Sequence, residues 1–314
     1  MKKVYCIGEI LIDFVSKKPG VDLSMATEFT KKAGGAAANV ACAIAKLGGK
    51  AVFLGCVGRD PFGAFLSQTL KREGVDLSQM QEADTFTSLA FVSLAEQGER
   101  DFVFCRGADR ELQYELSLRK SLQGNMLHLG AATALLGGPL EKAYGKYLFD
   151  GITAGMFISF DPNFRADLWQ GEEDTFIKKC IPFIERSQLC KFSKEEAQLL
   201  SGKTDLEAAC DHFHGLGSAI VTVTLGREGT LMSVWGKKLM VPSIRVDPMD
   251  TTGAGDAFIG CLLHQISQMG NIAPLFKDQH LLEGMVSLAN RAGAITTTRY
   301  GAIEALPDRN ALGL

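Results

Sequence analysis

The residues Asp250-Thr251-Thr252-Gly253-Ala254-Gly255-Asp256-Ala257-Phe258 are the stretch best equipped for chemistry. A strand-like segment over residues 244–246 precedes them, and an apolar helical pattern over 259–266 follows. Gly253 and Gly255 carry no side chain to block an approaching ligand, so the backbone N–H groups of residues 253–255 can reach it. A helix N-terminus brings unpaired donors and a favourable dipole to the same spot. The ligand this suits is a phosphate whose charge must be held during transfer. Asp256 falls on the first helical turn beside it, where a carboxylate can orient an attacking hydroxyl and take its proton. The helix dipole predicts that this carboxylate stays ionised. A glycine turn with an acidic cap would explain a bare GxGD, but not nine residues framed by strand and helix.

Other polar groups could serve such a site. Gly34-Gly35 lets backbone approach a ligand, and Asn39 is a lone amide in an otherwise apolar helix start. A buried amide needs partners, whether backbone groups that it caps or a ligand. Ser193-Lys194-Glu195-Glu196 has the form of a capping box, Ser193 as N-cap and Glu196 at the third helical position, with Gly202 closing the helix. A capping glutamate can still face an anion-binding cleft. No GxxxxGK occurs, so a nucleotide here is not held by a P-loop. Gly215-Leu216-Gly217 precedes a strand instead of following one, which removes a dinucleotide fingerprint. His212 and His214, two apart, do not share a helix face and read as solvated rather than as a chelating pair.

The elements that must position these residues show as alternation. Residues 4–7, 52–57, 126–129, 156–160 and 219–224 are buried-strand runs, and helix-compatible stretches lie between them. Residues 36–47 form a helix pattern closed by Gly48-Gly49, and Asp60-Pro61 supplies an N-cap with proline at the first helical position. The predicted fold class is therefore α/β: a doubly wound, mainly parallel sheet with helices on both faces and ligands at the strand carboxyl ends. Two segments break the rhythm. Residues 89–95 and 101–105 read as strands around a Gln97-Gly98 turn, and residues 10–32 lack a helical pattern. Together, roughly 10–32 and 87–108 are expected to form a small sheet, either a lid over a cleft or an ordinary peripheral hairpin. Residues 229–235 and 238–241 predict an edge hairpin turning at Gly236-Lys237.

Composition narrows the class of protein. The 314 residues are 46 % hydrophobic and 22 % charged, with a formal net charge of −3. This excludes a disordered or collagen-like chain, and no basic stripe points to nucleic acid. Glu9 and Asp13 interrupt the apolar N-terminal stretch, and no run reaches the roughly 18 apolar residues of a membrane helix. Eight cysteines without a CxxC pair predict a reduced, cytoplasmic protein lacking structural zinc. One domain over 1–314 fits better than two halves.

The string 250–258 resembles the C-terminal signature of the ribokinase-like (PfkB-type) carbohydrate kinases. Gly34-Gly35-Ala36-Ala37-Ala38-Asn39-Val40-Ala41, leading to Leu47-Gly48-Gly49, resembles their N-terminal signature, and the likeness runs from Gly8 to Gly301. It implies an ATP-dependent sugar kinase with Asp256 as base and Gly253, Ala254 and Gly255 as the anion-holding turn. It implies that Gly34, Gly35, Asn39 and Asp13, the last placed at the end of the first strand, bind sugar hydroxyls. On the nucleotide side it implies Lys191, Ser193, Thr224, Gly226, Gly229 and Asn290; on residue physics alone, the 224–229 loop is a routine strand exit and Asn290 an exposed helix amide. Glu196 matches a glutamate that positions Mg²⁺ and phosphate through water, although Ser193 stands where many relatives have Asn. Asp250 and the Thr252 carbonyl resemble part of a K⁺ site, with Ala305 where some relatives offer serine.

For the acceptor, Asp161-Pro162-Asn163-Phe164-Arg165 and Arg106 resemble bacterial fructokinases, so D-fructose is the first choice of substrate. The same arginines occur in 2-keto-3-deoxygluconate kinases, where an arginine fork suits a carboxylate, and Arg165 could instead pair with Asp161 or Asp167. The chain could also be a nucleoside-type kinase, a silent sugar-binding regulator or a nicotinamide-dependent dehydrogenase. Lid-to-lid pairing in similar proteins implies a homodimer through the small sheet.

Overall fold

The computed structural model describes residues 1–18, 20–94 and 100–314. The chain begins with β1 (Lys3–Ile7), β2 (Leu11–Ser16) and β3 (Phe29–Gly34), then α1 (Ala36–Lys46), β4 (Lys50–Leu54), β5 (Cys56–Gly58) and α2 (Pro61–Arg72). Next come β6 (Gln81–Ala83), β7 (Leu89–Leu94), β8 (Arg100–Cys105), the single turn α3 (Arg119–Leu122) and β9 (Met126–Gly130). Helix and strand then alternate through α4 (Gly138–Thr153), β10 (Phe157–Asp161), α5 (Glu173–Arg186) and β11 (Leu189–Ser193). After α6 (Lys194–Ser201), α7 (Leu206–Leu216) and β12 (Ile220–Thr224), the hairpin β13 (Thr230–Val234) and β14 (Lys237–Val241) turns back. The long helices α8 (Ala254–Gln268) and α9 (Gln279–Thr296) and the short α10 (Arg309–Leu312) complete the chain.

Among the described residues, eight strands build the main sheet in the order β14-β13-β12-β11-β10-β9-β1-β4. The six strands from β12 to β4 run parallel, and the closing hairpin is antiparallel. Alternate strand residues feed two separate cores. Val4, Cys6 and Met126 enter the one shared with α1 and α8, whereas Tyr5, Ile7 and Leu127 enter the one shared with α4 and α5. With both faces covered, the strands have no polar side to show, which is why they read as unbroken apolar runs. Seven of the eight cysteines are buried within these layers, and all eight are free.

The small sheet has the order β3-β2-β7-β8. It grows from the exit of β1 and returns directly into α1, so it is tethered at the carboxyl edge of the main sheet. Phe14 stacks on Phe91 with ring centroids 5.1 Å apart and meets Phe62 edge-on at 5.7 Å, knitting β2 to β7 and α2. The turn expected at Gln97-Gly98, like Ala95, lies outside the described residues.

Three expectations need correcting. Residues 52–57 are not one strand: the chain breaks at Gly55, and β5 leaves to pair with β6. A Cβ at Gly55 would sit 2.4 Å from the Phe53 ring, so the backbone passes closer to that ring than any side chain allows. Residues 244–246 form no strand, and Ile244 is exposed; Pro242 and Pro248 on either side withhold N–H groups from a ladder. The edge hairpin turns one residue early, at Trp235-Gly236, whose φ angles of 47° and 83° are those of a type I′ turn. No helix among the described residues is long and apolar enough to cross a membrane.

Candidate active site

Helix α8 opens on Gly253, which has φ 79° and no side-chain cap. A Cβ there would meet the Ala302 methyl at 2.9 Å, so both conformation and space require glycine. Asp256 lies in the first turn of α8, buried. Its Oδ2 accepts a hydrogen bond from Asn39 Nδ2 at 2.8 Å, which joins the start of α8 to α1 across 217 residues of chain. The Asn163 side chain and the charges of Lys191 and Arg165 also favour the ionised form, yet burial outweighs them and holds Asp256 above the ordinary carboxylate range. Burial thus opposes the ionised form that the helix dipole favours. Desolvation dominates, and a raised value makes the carboxylate a stronger proton acceptor.

Helix α1 begins at Gly35 (φ 111°), again without a cap from its own segment. Glu9 Oε1 supplies one instead, accepting from Ala36 N at 2.6 Å. Asn39 Oδ1 is buried with no hydrogen-bond partner among the described residues, so half of this amide serves Asp256 and the other half is unpaired. Asp13 is not at the end of the first strand, as expected, but on β2, inside the small sheet. Burial raises it to about 7 against the opposing pull of Arg165. Gly34 makes room for it: a Cβ at that position would lie 2.0 Å from Asp13 Oδ2.

The strand exits supply the rest. Asp161 ends β10 and forms a buried ion pair with Lys191 of β11 at 3.1 Å. Burial pulls Lys191 down, but the carboxylates of Asp161, Glu196 and Asp256 prevail and hold it above its usual value. Its ammonium lies against the anion turn, 3.0 Å from where a Cβ of Gly255 would be. Beyond Asp161 the buried Asn163 adopts φ 51°, a conformation that Asn tolerates better than most side chains. Arg165 bonds the carbonyl of Phe164 at 3.1 Å, and no ion pair to Asp161 or Asp167 is found among the described residues. Its charge instead acts on Glu9, Asp13 and Asp256.

The capping box at α6 forms as expected: Ser193 Oγ accepts from Glu196 N, and Glu196 Oε2 accepts from Ser193 N at 2.7 Å. The other oxygen, Oε1, accepts from Phe164 N at 2.8 Å. Thr224 ends β12 opposite Ser193. Gly226 (φ 57°) and Gly229 (φ 112°) shape the loop that follows, and a Cβ at Gly229 would lie 2.1 Å from the Val241 carbonyl. Asn290 is not an exposed amide. It is buried, accepts from Thr230 Oγ1 and donates to the Val241 carbonyl, pinning α9 to the hairpin.

Other expected residues are engaged elsewhere. Arg106 bonds Asp109 through Nε and the carbonyls of Leu136 and Thr133 through its terminal nitrogens, bracing the root of the small sheet. Asp250 Oδ1 accepts from Thr252 N and Oγ1, and Oδ2 accepts from Gly301 N. His214 is not solvated, since both ring nitrogens lie 2.7 Å from partners, the Ser218 carbonyl and Ser233 Oγ. Glu9 escaped the sequence reasoning as a site residue. Its only signal was an acid inside an apolar strand exit.

A buried carboxylate beside a cation-flanked glycine turn, at the carboxyl edge of a sheet wound on both faces, fits the fold of the ribokinase-like phosphotransferases. The model of the pfkB family of carbohydrate kinases matches residues 1–309. A probable fructokinase-4 from Arabidopsis thaliana is 38 % identical over 310 residues, covering 97 % of this chain and 93 % of the plant protein. A fructokinase double mutant from Vibrio cholerae, in a form with fructose, ADP and potassium ion bound, superposes with TM-score 0.87 at 34 % identity, covering 100 % of this chain and 97 % of that one. The Xylella fastidiosa fructokinase with bound ATP also gives TM-score 0.87, at 29 % identity, covering 99 % and 96 %. The chain belongs to the PfkB family and is a carbohydrate kinase.

Proposed function

We propose that this kinase transfers the γ-phosphoryl of ATP to the 6-hydroxyl of D-fructose, with Asp256 as the base. The observation that carries the reading is the Asn39–Asp256 hydrogen bond, which unites the sugar-side and phosphate-side signatures in one site. Fructose lies between the small sheet and α1, its hydroxyls on Asp13, the Gly34-Gly35 backbone, Asn39 Oδ1 and the 161–165 loop. Asp256 takes the proton of the 6-hydroxyl as that oxygen attacks phosphorus in line with the departing ADP. Charge developing on the transferred group is met by the amides of Gly253 and Gly255 and by the Lys191 ammonium, while the Ala254 amide is held by the Thr251 carbonyl. The small sheet closes over one domain spanning the chain and excludes water, the competing acceptor.

Mg²⁺ fits beside Glu196 through water: each carboxylate oxygen holds one backbone N–H and keeps a lone pair for a bridging water. When bound, the ion neutralises charge on the β- and γ-phosphates. The potassium of the Vibrio enzyme supports a monovalent cation near Asp250 and the Thr252 carbonyl here. The adenine side falls to Thr224, Gly226, Gly229 and the hairpin that Asn290 secures. The cytoplasm and a homodimer through the small sheet belong to the same reading.

A 2-keto-3-deoxygluconate acceptor is the second reading: Asp109 and two carbonyls hold three of the five Arg106 N–H donors and fix the guanidinium to the protein. The test is Asp256→Asn in an assay of ADP release across a sugar panel. Fructose should be the best acceptor, and the variant should keep ATP affinity while kcat falls by about 10²–10⁴. Near-normal turnover by the variant refutes Asp256 as base, and a better acceptor than fructose refutes the substrate.

A further inference from the structure

Among the buried acids of the described residues, Glu9 stands beside the site without an assigned role. Glu9 leaves β1 between Gly8 and Ile10 and is 1 % exposed. Its Oε1 accepts from Ala36 N at 2.6 Å, the first amide of a helix that has no cap of its own. Contact between the two segments is tight: a Cβ at Gly35 would lie 2.5 Å from the Glu9 carbonyl oxygen. The carboxyl therefore fixes how far α1 slides along β1. One turn further along α1, Asn39 donates to Asp256.

We infer that Glu9 is a positioning residue for phosphoryl transfer, acting through α1 to hold Asn39 against Asp256 and the acceptor hydroxyl. The inference rests on Asp256 and Asn39 having the roles given above. Loss of the cap frees Ala36 N and the end of α1 to shift, and a misplacement of about 1 Å at a reacting centre costs on the order of 10²-fold in rate. The neutral acid suffices for this task, because a protonated carboxyl still accepts through its carbonyl oxygen. Burial raises Glu9 to about 7 and, with Asp109 from the turn after β8, favours that form, while the backbone N–H groups of Glu9 and Ala36 and the charge of Arg165 favour the ionised one. Tyr144 of α4 also faces Glu9, and burial raises its hydroxyl well above the usual range, so it supplies no charge at neutral pH. The second oxygen, Oε2, is buried without a protein partner.

The experiment is a double-mutant cycle between Glu9 and Asn39 with kcat, KM for fructose and KM for ATP, supported by thermal unfolding of each variant. Glu9→Ala should lower kcat/KM for fructose about 30–100-fold and leave KM for ATP within about twofold. In an Asn39→Ala background the same change should cost less than about threefold, because the residue acts through Asn39. Glu9→Gln, which keeps an acceptor for Ala36 N, should restore activity to within about threefold of the unmodified enzyme. If Glu9→Ala does not fold, Glu9→Met, which retains volume but no acceptor, replaces it. Equal losses in both backgrounds, or a folded Glu9→Ala with unchanged kcat/KM, overturn the inference. Failure of the underlying reading shows separately, as an Asp256→Asn variant that still turns over.

Discussion

Replacing Lys191 by Met removes the one buried cation from a group of three acids. Lys191 and Asp161 pair at 3.1 Å with side chains 7 % and 1 % exposed, so water cannot take over when the ammonium is gone. Removing one member of a buried ion pair costs about 3–5 kcal/mol, because the partner stays buried and uncompensated. For a chain of this length a melting temperature moves by about 2 °C per kcal/mol, which gives an expected drop of about 6–10 °C. The control is a second substitution, Asp161→Leu, in the same protein. With both members of the pair gone the larger part of the penalty goes, while Glu196 and Asp256 still lack the cation, and stability should return to within about 2 kcal/mol of the starting enzyme. Activity should not return, because the positive charge against Gly255 is still missing. Unfolding followed by circular dichroism at neutral pH without ligands, beside ADP-release kinetics, reads both quantities. A single variant melting within about 2 °C of the parent, or a double variant no more stable than the single, refutes the reasoning.

Two more outcomes follow from the sugar side. Asp13 is raised to about 7 in the fold from an ordinary 3.8, so the folded state binds its proton more tightly than the unfolded chain does. Stability from this group is then complete at low pH and is lost as pH rises from about 4 to about 7. Asp13→Asn should accordingly match the parent near pH 4 and exceed it at pH 8 by about 2 kcal/mol, half the full linkage value because the side chain keeps some solvent contact. Equal effects at both pH values in ligand-free unfolding curves would sink that account. Gly34→Ala puts a methyl 2.0 Å from Asp13 Oδ2 and must displace that carboxylate. KM for fructose should rise by about tenfold or more with KM for ATP unchanged, and a parallel rise in both would show that the clash is relieved elsewhere.

What the sequence made legible is what is local. The β1, β9, β10 and β12 runs show in the apolar character of their own side chains, and the Asp60-Pro61 helix start and the Ser193–Glu196 capping box have their partners within three residues. What it hid depends on distance or on burial. Glu9 finds Ala36 27 residues away, and Asn39 finds Asp256 217 away. The sign of the Asp256 shift follows from how deeply α8 is packed, which the helix dipole cannot report. Asn290 and His214 looked like exposed polar residues because a helix pattern shows amphipathicity, not the hairpin strands that cover them. Residues 244–246 carried strand-forming side chains, but the flanking prolines decided the backbone.

One carboxylate has a mechanical reach beyond its cap. Glu196 grips Ser193 N with one oxygen and Phe164 N with the other, so the exits of two neighbouring strands are riveted at a single point. A displacement of the loop that carries Arg165 is therefore passed through that rivet to the start of α6.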